Sequence, residues 1–376
     1  MKKKVCIIVT TPMTAKVFLK DQIRALSEYF DITLVANFYE NPKFKVNWDN
    51  VTLMDIPLSR SVKPFKDIKA LHRLYHFIRD NQFDLVHTVT PKAGLIGMMA
   101  AFLSKVDIRI HFFTGQVWVT RRGFAYHILK LIDRILALLT THTYADSPSQ
   151  RDFLINMKIV PSRKIKTLAS GSISGVDTLR FKPDNKARQG IIEQYALSTD
   201  AIIILFLGRI SKDKGVHDLI NAFGKMNEPK AHLFLVGPDE CGIKKKLTHE
   251  TGGDAKRVHL VGFTSEPEKY MSAADIFCMP SLREGFGSVI IEAAACGVPS
   301  IASRIYGITD AVIHGVTGFL IAPSNQSELI TRLVQLSADS GLRKQMGAAA
   351  RNRAVDLFRK ERVTKVLVGE YRRLIG

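Results

Sequence analysis

The sequence is poor in cysteine. Its 376 residues hold four, Cys6, Cys241, Cys278 and Cys296, with no Cys-x-x-Cys pair, so neither a disulfide framework nor a zinc site is indicated and a reducing cytoplasm fits. Long hydrophobic runs are missing as well. Gly94 to Leu103 is roughly half of what crosses a bilayer, and Gly123 to Leu139 is interrupted by Lys130, Asp133 and Arg134. The apolar run Val5 to Val9 behind Lys2-Lys3-Lys4 is short, and no small-residue cleavage site follows it. A first buried strand is therefore expected rather than a signal peptide. There is no Gly-x-x-x-x-Gly-Lys-Ser/Thr loop, no Gly-x-Ser-x-Gly elbow and no His-Glu-x-x-His, which removes the commonest signatures of nucleotide hydrolysis, serine hydrolysis and zinc proteolysis. Asp-x-Asp is also absent, which counts against a metal-held diphosphate.

Acidic residues are the scarce charge: 54 Lys+Arg against 35 Asp+Glu give +19. Up to Lys182 the balance is 28 minus 14, or +14, and beyond it 26 minus 21, or +5. The excess lies in the first half. No helix-turn-helix, RNA-binding sheet or zinc finger accompanies it, so nucleic acid is not the expected partner. An anionic membrane surface, or an acceptor carrying diphosphate, is.

What is present is an alternation. Short apolar runs at Val5 to Val9, Ile32 to Ala36, Val51 to Ile56, Leu85 to His87, Ile108 to Phe112, Thr143 to Ala145 and Ile165 to Leu168 are separated by amphipathic stretches such as Val17 to Tyr29 and Pro64 to Asp80. Strands alternating with helices predict an α/β chain with parallel sheets wound on both sides, binding ligands beyond the carboxyl ends of the strands. The length suits two such domains. The expected divisions are a first domain over 1–182, a polar linker over 183–198, a second domain over 199–355 and a final basic segment over 356–376.

The chemistry concentrates in the second half. Ala274 to Met279 reads as a buried strand ending at Pro280. Glu284-Gly285-Phe286-Gly287-Ser288 follows as a glycine loop, and Val289 to Cys296 as a helix stopped by Gly297 and Pro299. Amides from Gly285 to Ser288 at a helix N-terminus suit a phosphate. Glu284 and Glu292, about 12 Å apart along the helix rise, are better suited to neutral hydroxyls of a sugar and a ribose. Upstream, the strand Ile202 to Leu207 delivers Arg209 and Lys214 to the same edge, two cations for two phosphate charges.

Glu284-Gly285-Phe286-Gly287, followed by Glu292-Ala293, Ala295, Gly297 and Pro299, together with Arg209 and Lys214, resembles the hallmark of the family-4 retaining glycosyltransferases, the group 1 glycosyl transferases. The resemblance implies the GT-B fold, two Rossmann-like doubly wound domains facing across a cleft, with the final segment crossing back to the first domain. It implies that Arg209 and Lys214 clamp the donor diphosphate, that Glu284 touches the donor hexose, that Glu292 grips the ribose, and that the loop at Phe263 borders the nucleobase. It further implies a hexose or N-acetylhexosamine moved with retention from a nucleotide sugar, UDP-linked as first choice, without a metal or other cofactor.

The first half matches the family in outline only. The loop Thr10 to Thr14 lacks the family's adjacent glycines, so Thr11 either faces the cleft or belongs to a simple turn. Thr114 stands directly before Gly115, where relatives often have a catalytic histidine, and His111 lies three residues earlier. His87 and Lys92 either reach the acceptor side or belong to a tightly packed small-residue helix and its capping turn. Arg121, Arg122, Trp118 and Phe124 either open an interfacial anchor or rim a buried crossover helix. The basic half and its hydrophobic helices point to a lipid-diphosphate-linked sugar acceptor and a peripheral place on the inner face of the cytoplasmic membrane, in surface-polysaccharide or glycan assembly. A soluble enzyme making a glucan or small glycoside, and a binding protein without turnover, are the rival readings.

Overall fold

The computed structural model describes residues 2–39, 48–58, 63–245, 247 and 254–376. The chain divides into two compact units, Met1–Gly175 together with Lys360–Gly376, and Val176–Arg359.

The first unit is built on β1 (Lys4–Ile8), β2 (Asp31–Ala36), β3 (Val51–Asp55), β4 (Leu85–Val89), β5 (Ile108–Phe113), β6 (His142–Ala145) and β7 (Ile165–Thr167). They form one sheet in the order β3-β2-β1-β4-β5-β6-β7, every pairing parallel. Period-2 alternation sends successive side chains to opposite faces, and both faces are covered. Val5, Ile7 and Val9 enter one core with Ile23, Leu26 and Tyr371. Cys6 and Ile8 enter the other with Leu74, Ile96 and Leu136. The terminal helix Lys360–Ile375 belongs to this unit because Leu367 and Tyr371 fill the first of these cores.

The second unit repeats the plan with β8 (Ile202–Leu207), β9 (Ala231–Val236), β10 (Val258–Gly262), β11 (Ile276–Met279), β12 (Ser300–Ser303) and β13 (Gly318–Ile321), ordered β10-β9-β8-β11-β12-β13 and again parallel. Ile203 and Leu205 face one core, and Ile202, Ile204 and Phe206 the other. Such strands read as unbroken apolar runs because neither face meets water.

The stretch expected as a polar linker carries structure of this second unit. Asn185–Gln194 is a helix whose first amides, from Lys186 and Ala187, donate to the Asp184 carboxylate at 2.9 and 3.2 Å. Ile191 is buried in the core, and Arg188 reaches Asp275 at 3.0 Å. A local cap and two tertiary anchors outweigh a weak amphipathic pattern. The helix Ser340–Phe358 ends at Arg359, and Val176 donates to the Phe358 carbonyl at 2.7 Å.

Candidate functional site

In each sheet the winding direction reverses at one place, between β1 and β4 in the first unit and between β8 and β11 in the second. A doubly wound sheet ordinarily binds its ligand there, beyond the carboxyl ends of its strands.

In the second unit two loops meet at this point. After β8 the chain runs through Arg209 into a single turn, Lys212–Lys214, and then the helix Val216–Lys225. After β11 it runs from Pro280 to Gly287 and then the helix Ser288–Ala295. The loops are held together by backbone. A Cβ on Gly215 would lie 2.0 Å from the Pro280 carbonyl oxygen, so only glycine permits the approach. Leu282 donates its amide to the Asp213 carbonyl at 2.9 Å. A Cβ on Gly307 would lie 2.4 Å from the Gly285 carbonyl, which fixes the far side of the loop.

The contact brings charged groups together. Lys214 Nζ donates to Glu284 Oε1, both side chains largely shielded from solvent. Asp213 Oδ2 accepts from Arg283 at 3.0 Å and from Arg209 at 3.4 Å, while its Oδ1 accepts from the Ser211 hydroxyl at 2.6 Å. Arg209 also reaches Glu240 at 2.6 Å. Burial disfavours the charge on Asp213, but the Ser211 bond and the neighbouring Arg209, Arg283 and Lys214 prevail and hold its carboxyl below the usual range. Three cations are thus gathered on three carboxylates beside a helix N-terminus. Gly287, at φ 80°, is the N-cap, and no side chain caps the helix. Its first amides are free of the oxygen that a Ser or Asp would supply.

Glu292 lies on the second turn of that helix, half-buried. Burial pushes its carboxyl up to about 7, with Arg180 opposing and Glu268 reinforcing the rise. Arg180 is itself fixed, donating to Glu268 at 2.9 Å and to the Ser265 carbonyl at 2.8 Å. Phe263, directly after β10, is 68% exposed and free to offer its ring edge. Ser288 is half-buried and Gly285 and Gly287 are buried at the loop. Phe286 has a different place from the one expected. It is a core residue, 1% exposed, with its ring 5.1 Å from that of Phe358, because the tight glycine turns point the aromatic inward.

The first unit's switch point has a different chemistry. Thr11 and Thr14 share a hydroxyl bond at 3.1 Å, and Thr10 bridges to Thr90 at 2.8 Å, joining the loops after β1 and β4. Thr114 follows β5 half-buried, and its carbonyl accepts from Gln116 and Gln150 at 2.7 and 2.6 Å. Lys92 pairs with Asp67 at 2.7 Å, which binds together the first turns of the helices Pro91–Leu103 and Pro64–Asn81. His87 is placed in the core rather than on an acceptor surface. It is 1% exposed, hydrogen-bonded through Nδ1 to Tyr371 of the terminal helix, and burial pushes its imidazole down to about 3. His111 is likewise buried, its Nδ1 at 2.7 Å from the Thr88 hydroxyl. Trp118 is buried too, donating to Asp133 at 2.7 Å and stacked on Phe153, so it is no surface anchor. Arg121 and Arg122 are exposed before the helix Gly123–Leu139.

Sequence reasoning missed Asp213, Arg283 and Glu240. Arg283 and Asp213 are 70 positions apart and meet only through the fold, though an arginine directly before Glu284 was a visible signal. Among the described residues, no group of three or more His, Cys, Asp or Glu is placed to hold a metal ion.

Residues 187–353 match the family model described as glycosyl transferases group 1, and residues 15–171 the model described as glycosyl transferase 4-like domain. The chain is 32% identical over 334 residues to the capsular polysaccharide biosynthesis glycosyltransferase CapM of Staphylococcus aureus, covering 86% of each protein. It is 28% identical over 350 residues to the UDP-Gal:alpha-D-GlcNAc-diphosphoundecaprenol alpha-1,3-galactosyltransferase of Escherichia coli, covering 90% of this chain and 88% of that one. Among solved structures it resembles HepE of Anabaena in complex with UDP and glucose, at 19% identity and TM-score 0.81, covering 98% of this chain and 99% of that one.

Proposed function

The chain belongs to the group 1 glycosyl transferases, and from that premise we propose that it moves a hexose or N-acetylhexosamine, with retention, from a UDP-sugar to a sugar carried on a lipid diphosphate, in the assembly of a surface polysaccharide or glycan. The observation that carries the reading is the cluster at the β8/β11 switch point, where Lys214, Arg209 and Arg283 stand on carboxylates beside an uncapped helix N-terminus.

The diphosphate exchanges places with those carboxylates. Arg209 and Lys214 turn from Glu240, Asp213 and Glu284 to the phosphate oxygens, and the amides at Ser288 receive the distal phosphate. Released from Lys214, Glu284 accepts hydrogen bonds from the hexose hydroxyls. Glu292 accepts from the ribose, and Phe263 borders the base. In the transfer step the bond between the anomeric carbon and the diphosphate oxygen breaks, and the acceptor oxygen bonds to that carbon from the same face. The acceptor's proton passes to the departing phosphate oxygen. The charge that develops on the leaving group meets preorganised cations and a helix N-terminus, so the residues themselves do the work of a metal.

The acceptor reading is supported by the basic first half of the chain and by the Escherichia coli relative, whose name gives a diphosphoundecaprenol-linked sugar as its acceptor. Among the described residues no helix is long and apolar enough to cross a membrane. The reading places the protein peripherally, at the inner face of the cytoplasmic membrane.

The test is transfer from UDP-sugars to lipid-diphosphate-linked N-acetylglucosamine in the presence of a metal chelator, with the new linkage read by proton NMR. An α product from an α donor is expected. A β product, or a rate abolished by the chelator and restored by a divalent cation, contradicts the account.

A further inference from the structure

The helix Gly123–Leu139 buries one side on the first unit's core through Leu136 and Ala137. Its other side is not buried. Phe124, Ile128, Leu131, Ile135 and Leu138 are all exposed, Phe124 by 80% and Leu138 by 77%. Their spacing of 4, 3, 4 and 3 residues makes one continuous stripe, about 21 Å long at 1.5 Å per residue. The core side of a crossover helix needs no such second stripe, and a water-facing side ordinarily carries charge there.

The charge at both ends of the stripe is predominantly positive. Arg121 and Arg122 are exposed at its N-terminal end. At the other end, Lys164 donates to the Leu138 carbonyl at 3.4 Å, and exposed Lys158 accepts from Arg134 through its carbonyl at 3.1 Å. Between Asp107 and Asp146 the only acid is Asp133, and it is buried against Trp118. A second element of the same helical layer repeats the composition. Phe65 and Ile68, 90% and 66% exposed, stand among exposed Lys63, Lys66 and Lys69, and the acid of that turn, Asp67, is paired with Lys92. The helices Pro64–Asn81 and Gly123–Leu139 pack on either side of Pro91–Leu103.

We infer that the exposed face of Gly123–Leu139, with the turn bearing Phe65 and Ile68, is the surface by which the first unit lies on an anionic lipid bilayer. An in-plane helix uses this pattern: apolar side chains enter the acyl boundary and flanking cations meet lipid phosphates. Lipid is favoured over an acidic protein because the stripe is long, apolar and repeated on a second helix, while the exposed charges Arg121, Arg122 and Lys158 at its ends are positive. The inference rests on the proposal that the acceptor is lipid-linked, and gives that acceptor a docking surface on the unit whose switch point lacks charged motifs.

The full chain is mixed with vesicles of phosphatidylcholine alone and with vesicles rich in phosphatidylglycerol, and the bound fraction is read by flotation. The wild type is expected to float with the anionic vesicles only. Leu131→Glu with Leu138→Glu should lower binding at least tenfold, and Arg121→Ser with Arg122→Ser about thirtyfold, at roughly 1 kcal/mol per cation. Circular dichroism and a melting transition unchanged from the wild type report that the first unit of the variants remains folded. Equal flotation of the wild type and the leucine variant overturns the inference. So does a wild type that ignores both vesicles, or a solution dimer that the leucine variant dissociates while vesicle binding stays unchanged. Sugar transfer to a water-soluble short-chain acceptor in detergent separates the two proposals. A leucine variant active there but detached from vesicles upholds the docking surface, and a wild type that binds vesicles yet transfers no sugar to any acceptor overturns the functional reading alone.

Discussion

The two units share a parallel, doubly wound sheet and a switch point, yet the chemistry at those points differs. In the second unit the loops after β8 and β11 are crossed by ion pairs, Lys214 with Glu284 and Asp213 with both Arg209 and Arg283. In the first, the loops after β1 and β4 are joined by neutral hydroxyls, Thr10 with Thr90, and Lys92, in the first turn after β4, is committed to Asp67. One topology thus supplies a switch point twice, and side chains decide its use. Charged groups suit a nucleoside diphosphate. Hydroxyls suit a sugar, with cations placed on the outer helices.

If that division holds, Lys214→Ala is the most damaging single change in the molecule. It removes a cation from the departing diphosphate and leaves Glu284 without its partner, so kcat/KM should fall about 10^3-fold, as for loss of one preorganised charge donor. A loss below tenfold would dissolve the contrast between the two switch points.

A smaller effect concerns pH and sharpens the assignment of Glu292. Its folded pKa, about 7, is raised above the ordinary carboxylate value. The stability it contributes is therefore full below the unfolded pKa and is lost as pH rises through about 7. The free wild type should accordingly lose stability relative to Glu292→Gln as pH rises through that window, a difference in which the contributions of the other titrating groups cancel. UDP affinity should run the other way, because ribose hydroxyls donate to the ionised carboxylate. Below pH 7 it should fall by up to about tenfold per pH unit in the wild type and remain level in the glutamine variant. Titration calorimetry across pH 5.5 to 8.5 checks both the slope and its sign.

The smallest effect belongs to the first unit. Thr114→Val removes one neutral hydroxyl at the end of β5, worth about 1 kcal/mol, and should change acceptor KM a few-fold while leaving kcat near the wild-type value. A kcat loss matching that of Lys214→Ala would mean that Thr114 takes part in the transfer step, and the two switch points would no longer divide the work.

Much of this was legible in the sequence wherever the signal was local. The apolar runs of central strands such as β1, β2, β4 and β8 announce buried parallel sheets because neither face is solvated, and the glycine loop with Glu284 stands out by its place between strand and helix and by its resemblance to the family hallmark. What was not legible depended on distant neighbours. His87 reads as a cleft residue until Tyr371, 284 positions away, is seen to close over it. Phe286 sits in a loop otherwise made for a ligand, and only the approach of Phe358 explains why it points inward. Trp118 had the look of an anchor beside Arg121 and Arg122, but its indole is spent on the buried Asp133 carboxylate. The helix Asn185–Gln194 is hidden because two of its anchors, Arg188 to Asp275 and the cap at Asp184, are polar, and a polar stretch reads as a linker.

The central claim, that the second unit's switch point is the donor site, is tested most directly by thermal stabilisation of the wild type and Glu292→Ala against UDP, GDP, ADP and their sugars. The account predicts that UDP and a UDP-sugar stabilise the wild type, by about 2.7 kcal/mol at a hundredfold excess over Kd, and that Glu292→Ala loses the response while its own fold persists. A variant that responds to UDP as strongly as the wild type, or a wild type indifferent to every nucleotide in the panel, would contradict it.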